Sequence, residues 1–403
     1  MTYTLRKVIF LFVAFVILAL MILAKIAPRK PGHQIDKDTA VDIQREGLVT
    51  GEKNDWPMFH GGPKLQGCVQ NNLSDSLKLL WKFKTDDEIK SSAAIVKGMV
   101  FIGSSDANVY AIDLKNGSRV WSYETGGPIE ATPCVVGGSV YIGSADGFLY
   151  ALDMNTGRFK WKYQTEGKIS GSANWIRGEN GQDIQILVGS YDNQLYCVDS
   201  KNGKVIWSYE TDSYINGTVA VCDGRIVFGG CDGMMHVVSA KDGEGIRHID
   251  AEAIIAGAAA VSGDNAYAGN YENTFIKIDI ESGQILWKYT DSDAPYYSSP
   301  AMADGRVVFG GRDSRVHCLE TDSGERAWAF QTLGEVDSSP AICADKVVVG
   351  CDDGRLYMLR LSDGGKVWSF EIGQAVSSSP AVSGGLVVVG CGDGYVYAFG
   401  PER

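Results

Sequence analysis

Residues 131–165 read ATPCVVGGSVYIGSADGFLYALDMNTGRFKWKYQT. Ala131–Val136, Ser139–Ser144, Phe148–Asp153 and Phe159–Gln164 are short runs rich in β-branched and aromatic residues, separated by Gly137-Gly138, Asp146-Gly147 and Asn155-Thr156-Gly157. Gly and Asp supply positive φ or local hydrogen bonds at hairpin turns, so the stretch predicts four antiparallel strands in succession. Side chains alternate along a strand, which places Trp161 and Tyr163 on one face of the fourth.

The same unit recurs along the chain. Trp81, Trp121, Trp161, Trp207, Trp287, Trp328 and Trp368 follow one another at gaps of 40, 40, 46, 80, 41 and 40 residues, and Arg247 stands midway through the gap of 80. A second marker agrees: Gly103, Gly143, Gly189, Gly229, Gly269, Gly310, Gly350 and Gly390 each precede an acid by three residues. Those acids are Asp106, Asp146, Asp192, Asp232, Glu272, Asp313, Asp353 and Asp393. Eight four-stranded units of about 40 residues predict an all-β, eight-bladed β-propeller in which the tryptophans dock blade on blade. The repeats begin with a fourth strand, Leu79 to Lys84, and end after a third, Tyr395 to Phe399, so the first segment is expected to complete the last blade. That closure removes an open strand edge. Pro133, Pro300, Pro340 and Pro380 begin first strands, which suits an innermost strand with a free edge. Two units depart from the pattern: the third carries about six extra residues within Arg177–Asp183, and the fifth puts Arg247 where Trp is expected.

Composition narrows the function classes. Gly is 49 and Pro 11 of 403 residues, which fits a turn-rich β protein and neither collagen nor a Pro-rich disordered chain. Residues 1–50 hold 7 Lys+Arg against 4 Asp+Glu, leaving 30 basic and 45 acidic residues and a net charge of −15 for 51–403. Such a surface repels phosphate backbones, so nucleic acid is not an expected partner. Val8–Ala24 is an uninterrupted apolar run of 17 residues between Arg6-Lys7 and Lys25. As a helix it reaches about 25 Å, longer than a signal-peptide core, and it has no A-x-A site or lipid-accepting Cys at its end. Residues 1–25 therefore read as a cytoplasmic tip and a retained membrane anchor through residues 8–24, residues 26–55 as a linker, and 56–403 as the propeller on the extracytoplasmic side of an inner membrane. Within the last, WPMFHGGPKLQG (56–67) reads as a segment packed against one propeller face.

The nine cysteines are scattered, with no adjacent pair and no C-x-x-C, and most stand where sister units carry Ala, Val or Ser. They read as small buried side chains. Cys351 and Cys391, at the same place in successive units, are the pair to check for bonding. His236 and His317 replace the third-strand tyrosine of other units, and the acids recurring at one turn read as turn formers rather than a catalytic set.

YIGSADGFLYALDMNTGRFKW (141–161) and VVVGCGDGYVYAFG (387–400) resemble the pyrroloquinoline-quinone (PQQ)-type propeller repeat, shared by quinoprotein dehydrogenases and by the non-enzymatic BamB-type propellers of outer-membrane assembly. The resemblance spans about residues 56–400 and implies two functions. A quinoprotein oxidoreductase would hold PQQ on Ca²⁺ through carboxylate and amide oxygens, use a carboxylate base and, in the alcohol dehydrogenases, carry an adjacent Cys pair. Here there is no such pair, and the units use nearly all of 77–400. The expectation is a membrane-anchored, BamB-like scaffold for envelope proteins with no catalytic, cofactor or metal residues, possible partners being the outer-membrane assembly machinery. The alternative is the PQQ/Ca²⁺ oxidoreductase. Candidate partner contacts are Glu179, Asn180 and Asp183 of the extra loop and the Tyr296-Tyr297 pair, since binding energy concentrates in loops and aromatic side chains on rigid scaffolds.

Overall fold

A strand of three residues can sit at the crowded axis of a ring, and longer strands fit further out. Blade 1 follows that rule with Ala94–Val96 innermost, then Met99–Gly103, Asn108–Asp113 and Arg119–Glu124. Blades 2 to 7 repeat the order, the last ending at Lys366–Glu371. Blade 8 takes Ala381–Ser383, Leu386–Gly390 and Tyr395–Gly400 from the C-terminal end and Lys78–Lys84 as its outer strand, with Lys78 opposite Gly400 and Lys84 opposite Tyr395. The fold is thus the expected all-β, eight-bladed propeller of four-stranded antiparallel blades, closed by an N-terminal strand. This structure, a computed structural model, describes residues 54–402. The expected anchor at residues 8–24 and most of the linker lie outside them. Among the described residues no helix is long and apolar enough to cross a membrane.

Adjacent blades are fastened by an indole lying on a glycine. The Trp161 indole covers Gly203 in the third-to-fourth-strand turn of the next blade, and a Cβ on Gly203 would sit 2.5 Å from Trp161 Cε3. Its Nε1 donates to Ser200 O at 2.9 Å. Trp81, Trp121, Trp287 and Trp328 donate likewise to Leu114, Met154, Thr321 and Leu361 carbonyls. Three seams differ. Trp207 covers Gly243 but its Nε1 is buried without an acceptor. Arg247 lays its aliphatic stem on Gly283. Trp368 faces the chain-end seam of blade 8 and packs on Phe399, ring centroids 5.6 Å apart.

The glycine that ends each second strand has a different reason. Gly103 has ordinary negative φ, but a Cβ there would lie 2.1 Å from Ile129 Cγ2, in the loop leading into the next blade. One apolar side chain per blade fills this slot: Ile89, Ile129, Ile169, Ile215, Ile255, Tyr296, Val336 and Val376.

The inner strands leave backbone N–H groups facing the channel, and residues 56–69 satisfy them in ring order. Trp56, Pro57, Pro63, Lys64, Gln66 and Gly67 carbonyls accept from the middle residues of the inner strands of blades 1, 2, 4, 5, 6 and 7, namely Ile95, Val135, Val221, Val261, Met302 and Ile342, at 2.7–3.0 Å. In blade 3 the Trp175 N–H is taken by its neighbour Asn174 Oδ1, whose amide donates to Pro63 O. Cys68–Val69 then pairs in parallel with Ala341–Cys343. Sequence reading placed residues 56–67 against a face; they run along the channel wall, with Trp56, Met58, His60 and Leu65 buried. The inner edges next to Pro133, Pro300 and Pro340 are therefore occupied rather than free.

Candidate functional site

The two faces of the ring are chemically distinct. On one, each fourth strand leads into the next inner strand; on the other lie the hairpins between first and second and between third and fourth strands. The first face opens into a cup of about 170 Å³ over the channel, lined by Ser92, Thr132, Ser172, Thr218, Ser299 and Ser379 with Phe59 among the lining and Lys90, Glu130 and Asn216 further out. The hydroxyls form a belt that crosses blade seams. Thr132 N–H donates to Ser172 Oγ at 2.8 Å, Ser172 N–H to Thr218 Oγ1 at 3.1 Å, and Ser379 N–H to Ser92 Oγ at 2.9 Å, so the belt passes through the closure between blades 8 and 1.

Phe59 stacks on His60 at 4.4 Å between centroids. His60 is buried, and that burial holds its imidazole down at about 4, against the smaller upward pull of the Leu65 and Pro300 carbonyls. Unfolding frees a histidine of ordinary affinity near 6.5. Below 6.5 the unfolded chain binds a proton that the folded chain refuses, so this contribution is complete above 6.5 and is lost as pH falls towards 4, by on the order of 3 kcal/mol. Urea unfolding at about pH 7 and about pH 4.5 is expected to show a larger loss for the native chain than for His60→Gln. Equal losses would assign the acid sensitivity elsewhere.

The recurrent turn acids are consumed by structure. Asp146 Oδ1 accepts the Phe148 N–H at 3.0 Å, while Oδ2 accepts the Tyr150 O–H at 2.5 Å and the Gly126 N–H of the preceding blade at 2.8 Å. Burial and that carboxylate hold the Tyr150 hydroxyl well above the ordinary phenol range. In blade 5 the turn is held by Asn270, which accepts from Glu272 and Thr274 N–H, rather than by Glu272. His236 and His317 make the tyrosine's bond to Asp232 and Asp313. All nine cysteines are free thiols. Cys351 and Cys391 donate to loop carbonyls as Ser144 does in blade 2, and burial raises both thiols, to about 11 and about 12.

PQQ is a planar quinone with three carboxylates and needs cations around it. The cup offers Lys90, which is paired with Glu88 at 2.8 Å, and opposes it with Glu130. Its volume lies below the roughly 300–1,000 Å³ of sites that enclose drug-sized ligands. A carboxylate trio does occur, Glu335, Asp337 and Asp352, with ligand atoms within 4.8 Å of one another. It lies outside the cup lining, and Asp337 is engaged by Arg312 through two bonds of 3.0 and 2.7 Å. The cup residues do not fit PQQ on Ca²⁺.

What the cup face does offer is an exposed aromatic arc. Tyr191 stacks on Tyr214 at 4.9 Å and donates its hydroxyl to Asn216. Ile254 joins the backbone of Tyr271, which meets Tyr297 at 4.5 Å, and the Arg312 guanidinium lies 3.8 Å over the Tyr297 ring. Tyr214 is 50% exposed, Tyr271 45% and Ile254 37%, an unusual run for one face. The Arg312–Asp337–Glu335 ion pairs bound the arc on the blade 7 side.

The sequence candidates separate on this map. Tyr297 belongs to the arc. Tyr296 does not: it is 1% exposed, fills the slot of blade 5 above Gly269 and packs edge-on against Phe309 and His317. Glu179, Asn180 and Asp183 lie on the opposite, hairpin face, where Glu179 pairs with Lys241 at 2.8 Å, Asp183 with Lys201 at 2.5 Å, and Asn180 with Asp183. Tyr191, Tyr214, Ile254 and Tyr271 were not singled out from sequence. Their signal is positional: Tyr191 and Tyr271 precede the turn acid where blades 1 and 2 have Ser105 and Ala145, and Tyr214 and Ile254 precede the slot residue where blades 8 and 1 have Glu88 and Pro128.

A closed ring with an indole on a glycine at six of its eight seams and a Tyr- or His-bonded turn acid in seven of its eight blades defines a PQQ-like repeat propeller. The profile described as outer membrane protein assembly factor BamB matches residues 73–180, 174–247 and 238–402, and the chain belongs to that family. Among solved structures, BamB from Moraxella catarrhalis is similar over 81% of this chain and 100% of its own, at 18% identity and a TM-score of 0.66. Quinohemoprotein alcohol dehydrogenase from Comamonas testosteroni is similar over 92% of this chain and 83% of its own, at 14% identity and a TM-score of 0.74. At such identities both show the fold alone. Quinohemoprotein alcohol dehydrogenase ADH IIB of Pseudomonas putida is 28% identical over 81 residues, 18% of this chain and only 12% of that protein's length.

Proposed function

We propose that the protein is a non-catalytic scaffold, held in the inner membrane by residues 8–24 with its propeller on the periplasmic side, that captures envelope proteins on the cup face. The observation that carries this reading is the arc of exposed Tyr214, Ile254 and Tyr271 with half-buried Tyr297, beside a cup whose lining does not fit a quinone. Aromatic side chains fixed by neighbouring rings present apolar area at little entropic cost, which is what a recognition surface requires. Family membership supports partners within the outer-membrane assembly machinery. The test is a photo-activated cross-linker placed at Tyr271 of the full chain in intact cells, with Ser105 on blade 1 of the same face as control. Cross-links to envelope proteins from Tyr271 and few from Ser105 are the expected result; equal yields from both would remove the arc from recognition.

The second reading is a PQQ- and Ca²⁺-dependent oxidoreductase, which draws on the fold shared with the Comamonas testosteroni enzyme. Calorimetric titration of the full chain with PQQ in Ca²⁺ is expected to show no binding tighter than about 1 μM, equivalent to roughly 8 kcal/mol. Tighter binding with dye-linked turnover of alcohols or sugars would replace the scaffold reading with the enzyme.

A further inference from the structure

Two imidazoles and a phenol converge at the seam between blades 3 and 4. Tyr209 Oη of blade 3 lies 3.0 Å from His236 Nδ1 and 2.6 Å from His248 Nε2, both of blade 4. On its far side His236 Nε2 is 2.9 Å from Asp232 Oδ2, and Asp232 is itself held by accepting the Met234 N–H at 3.0 Å. A carboxylate on one imidazole nitrogen fixes the tautomer and turns the other lone pair outward, the arrangement found behind metal-bound histidines. His236 thus presents Nδ1 to the seam as an acceptor.

The point of convergence is open to solvent for a reason visible in the sequence. Two positions before the docking residue, the other complete blades carry Arg119, Phe159, Val205, Ile285, Arg326 or Lys366; blade 4 carries Gly245. A Cβ on Gly245 would stand 3.3 Å from His248 Nε2 and from Tyr209 Cε2, and 3.8 Å from Tyr209 Oη. Its absence leaves an approach to Tyr209 Oη and His248 Nε2 from the outer strand, on which His248 is exposed, with His236 buried behind them.

We propose that His236 Nδ1, His248 Nε2 and Tyr209 Oη form a binding site for a divalent transition-metal ion of the Zn²⁺ class, bridging blades 3 and 4. Imidazole nitrogen with phenol oxygen suits Zn²⁺, Ni²⁺ or Cu²⁺ and not Ca²⁺. Bonds of about 2.05 Å at tetrahedral angles set donors about 3.3 Å apart, so the 3.0 Å spacing to His236 widens by about 0.3 Å and the 2.6 Å spacing to His248 by about 0.7 Å. The latter comes from a turn of the exposed His248 ring, and water completes the coordination through the Gly245 opening. In the metal-free seam the phenol donates to His236 Nδ1 and accepts from His248 Nε2–H. The ion takes the place of the phenol proton, which passes to water, and His248 frees its Nε2 lone pair by carrying its proton on Nδ1 instead. The seam of blades 5 and 6 is an internal contrast. Tyr289, His317 and Asp313 repeat the phenol–imidazole–carboxylate chain, but the fourth-strand residue opposite His317 is Ala329, where His236 faces His248. The ion would also fasten the seam whose Trp207 indole lacks its hydrogen bond.

The test is titration of the purified, metal-free full chain with ZnCl₂, following heat release, melting temperature and the tyrosinate difference absorbance, with Co²⁺ as a coloured substitute. One ion per chain, a raised melting temperature and a tyrosinate signal are expected. Both His248→Gln, on an exposed strand, and Gly245→Val, which covers the approach, are expected to lose at least roughly tenfold in affinity while melting like the native chain without metal, and Asp232→Asn roughly 10–100-fold. Binding of the same strength in His248→Gln, or one ion bound with no tyrosinate signal and no melting shift, would mean adventitious binding and overturn the site, as would less than one ion per chain.

Discussion

Trp161→Ala is expected to destabilise the propeller by about 3–5 kcal/mol, the range for truncating a buried Trp. The indole is 8% exposed, caps Gly203 and donates to Ser200 O at 2.9 Å, so its loss opens a cavity on the seam of blades 2 and 3 and leaves that carbonyl without its side-chain donor. Gly203 cannot fill the gap with a larger residue, since its φ of +70° belongs to the region that favours glycine. Trp207→Ala supplies the comparison: its indole covers Gly243 but donates to nothing, so its cost is expected to fall short of the Trp161 value by about the 0.5–1.5 kcal/mol of one hydrogen bond. Urea unfolding of the two variants measures both. A cost below about 1 kcal/mol for Trp161→Ala would mean that the strands, and not the indoles, hold the ring.

The ring was legible because its causes repeat. Trp161 and its equivalents mark seven of the eight fourth strands, and the unpaired strand at 79–84 announces the closure seen between Lys78–Lys84 and Tyr395–Gly400. The marker glycines were visible as a repeat signal but their reason was not: Gly103 is a place where Ile129 comes within a Cβ's reach. Residues 56–67 carry no period, because a segment that offers its carbonyls to inner strands uses backbone atoms common to every residue, and side-chain patterning cannot reveal that. The surface was least legible. Glu179 and Tyr297 looked alike as loop residues, yet one follows an inner strand and the other precedes one, which puts them on opposite faces.

Tyr296 and Tyr297 are adjacent and should behave in opposite ways, and the repeat explains why. Tyr296 stands two residues before Ser298 as Val336 stands before Ser338, so it inherits the slot over the second-strand glycine, and its ring is enclosed by Phe309, His317 and Tyr289. Tyr296→Ala is expected to cost about 3–5 kcal/mol in unfolding, as for other large buried aromatics. Tyr297 points instead to the rim, between Tyr271 at 4.5 Å and Arg312 at 3.8 Å. Tyr297→Ala should leave unfolding within about 0.5 kcal/mol, as for surface substitutions, while removing the ring against which Arg312 rests. If the cup face captures partners through this arc, that ring sits where a central contact would. Its loss, at about 2 kcal/mol for such a residue, lowers partner capture by roughly 30-fold. Changing both residues together would hide the distinction, because an unfolded propeller also fails to capture. The single variants separate them: capture lost by Tyr297→Ala at native stability places recognition on the cup face, whereas capture unchanged at native stability moves it to another surface, with the hairpin face around Glu179 and Lys241 next to be tested.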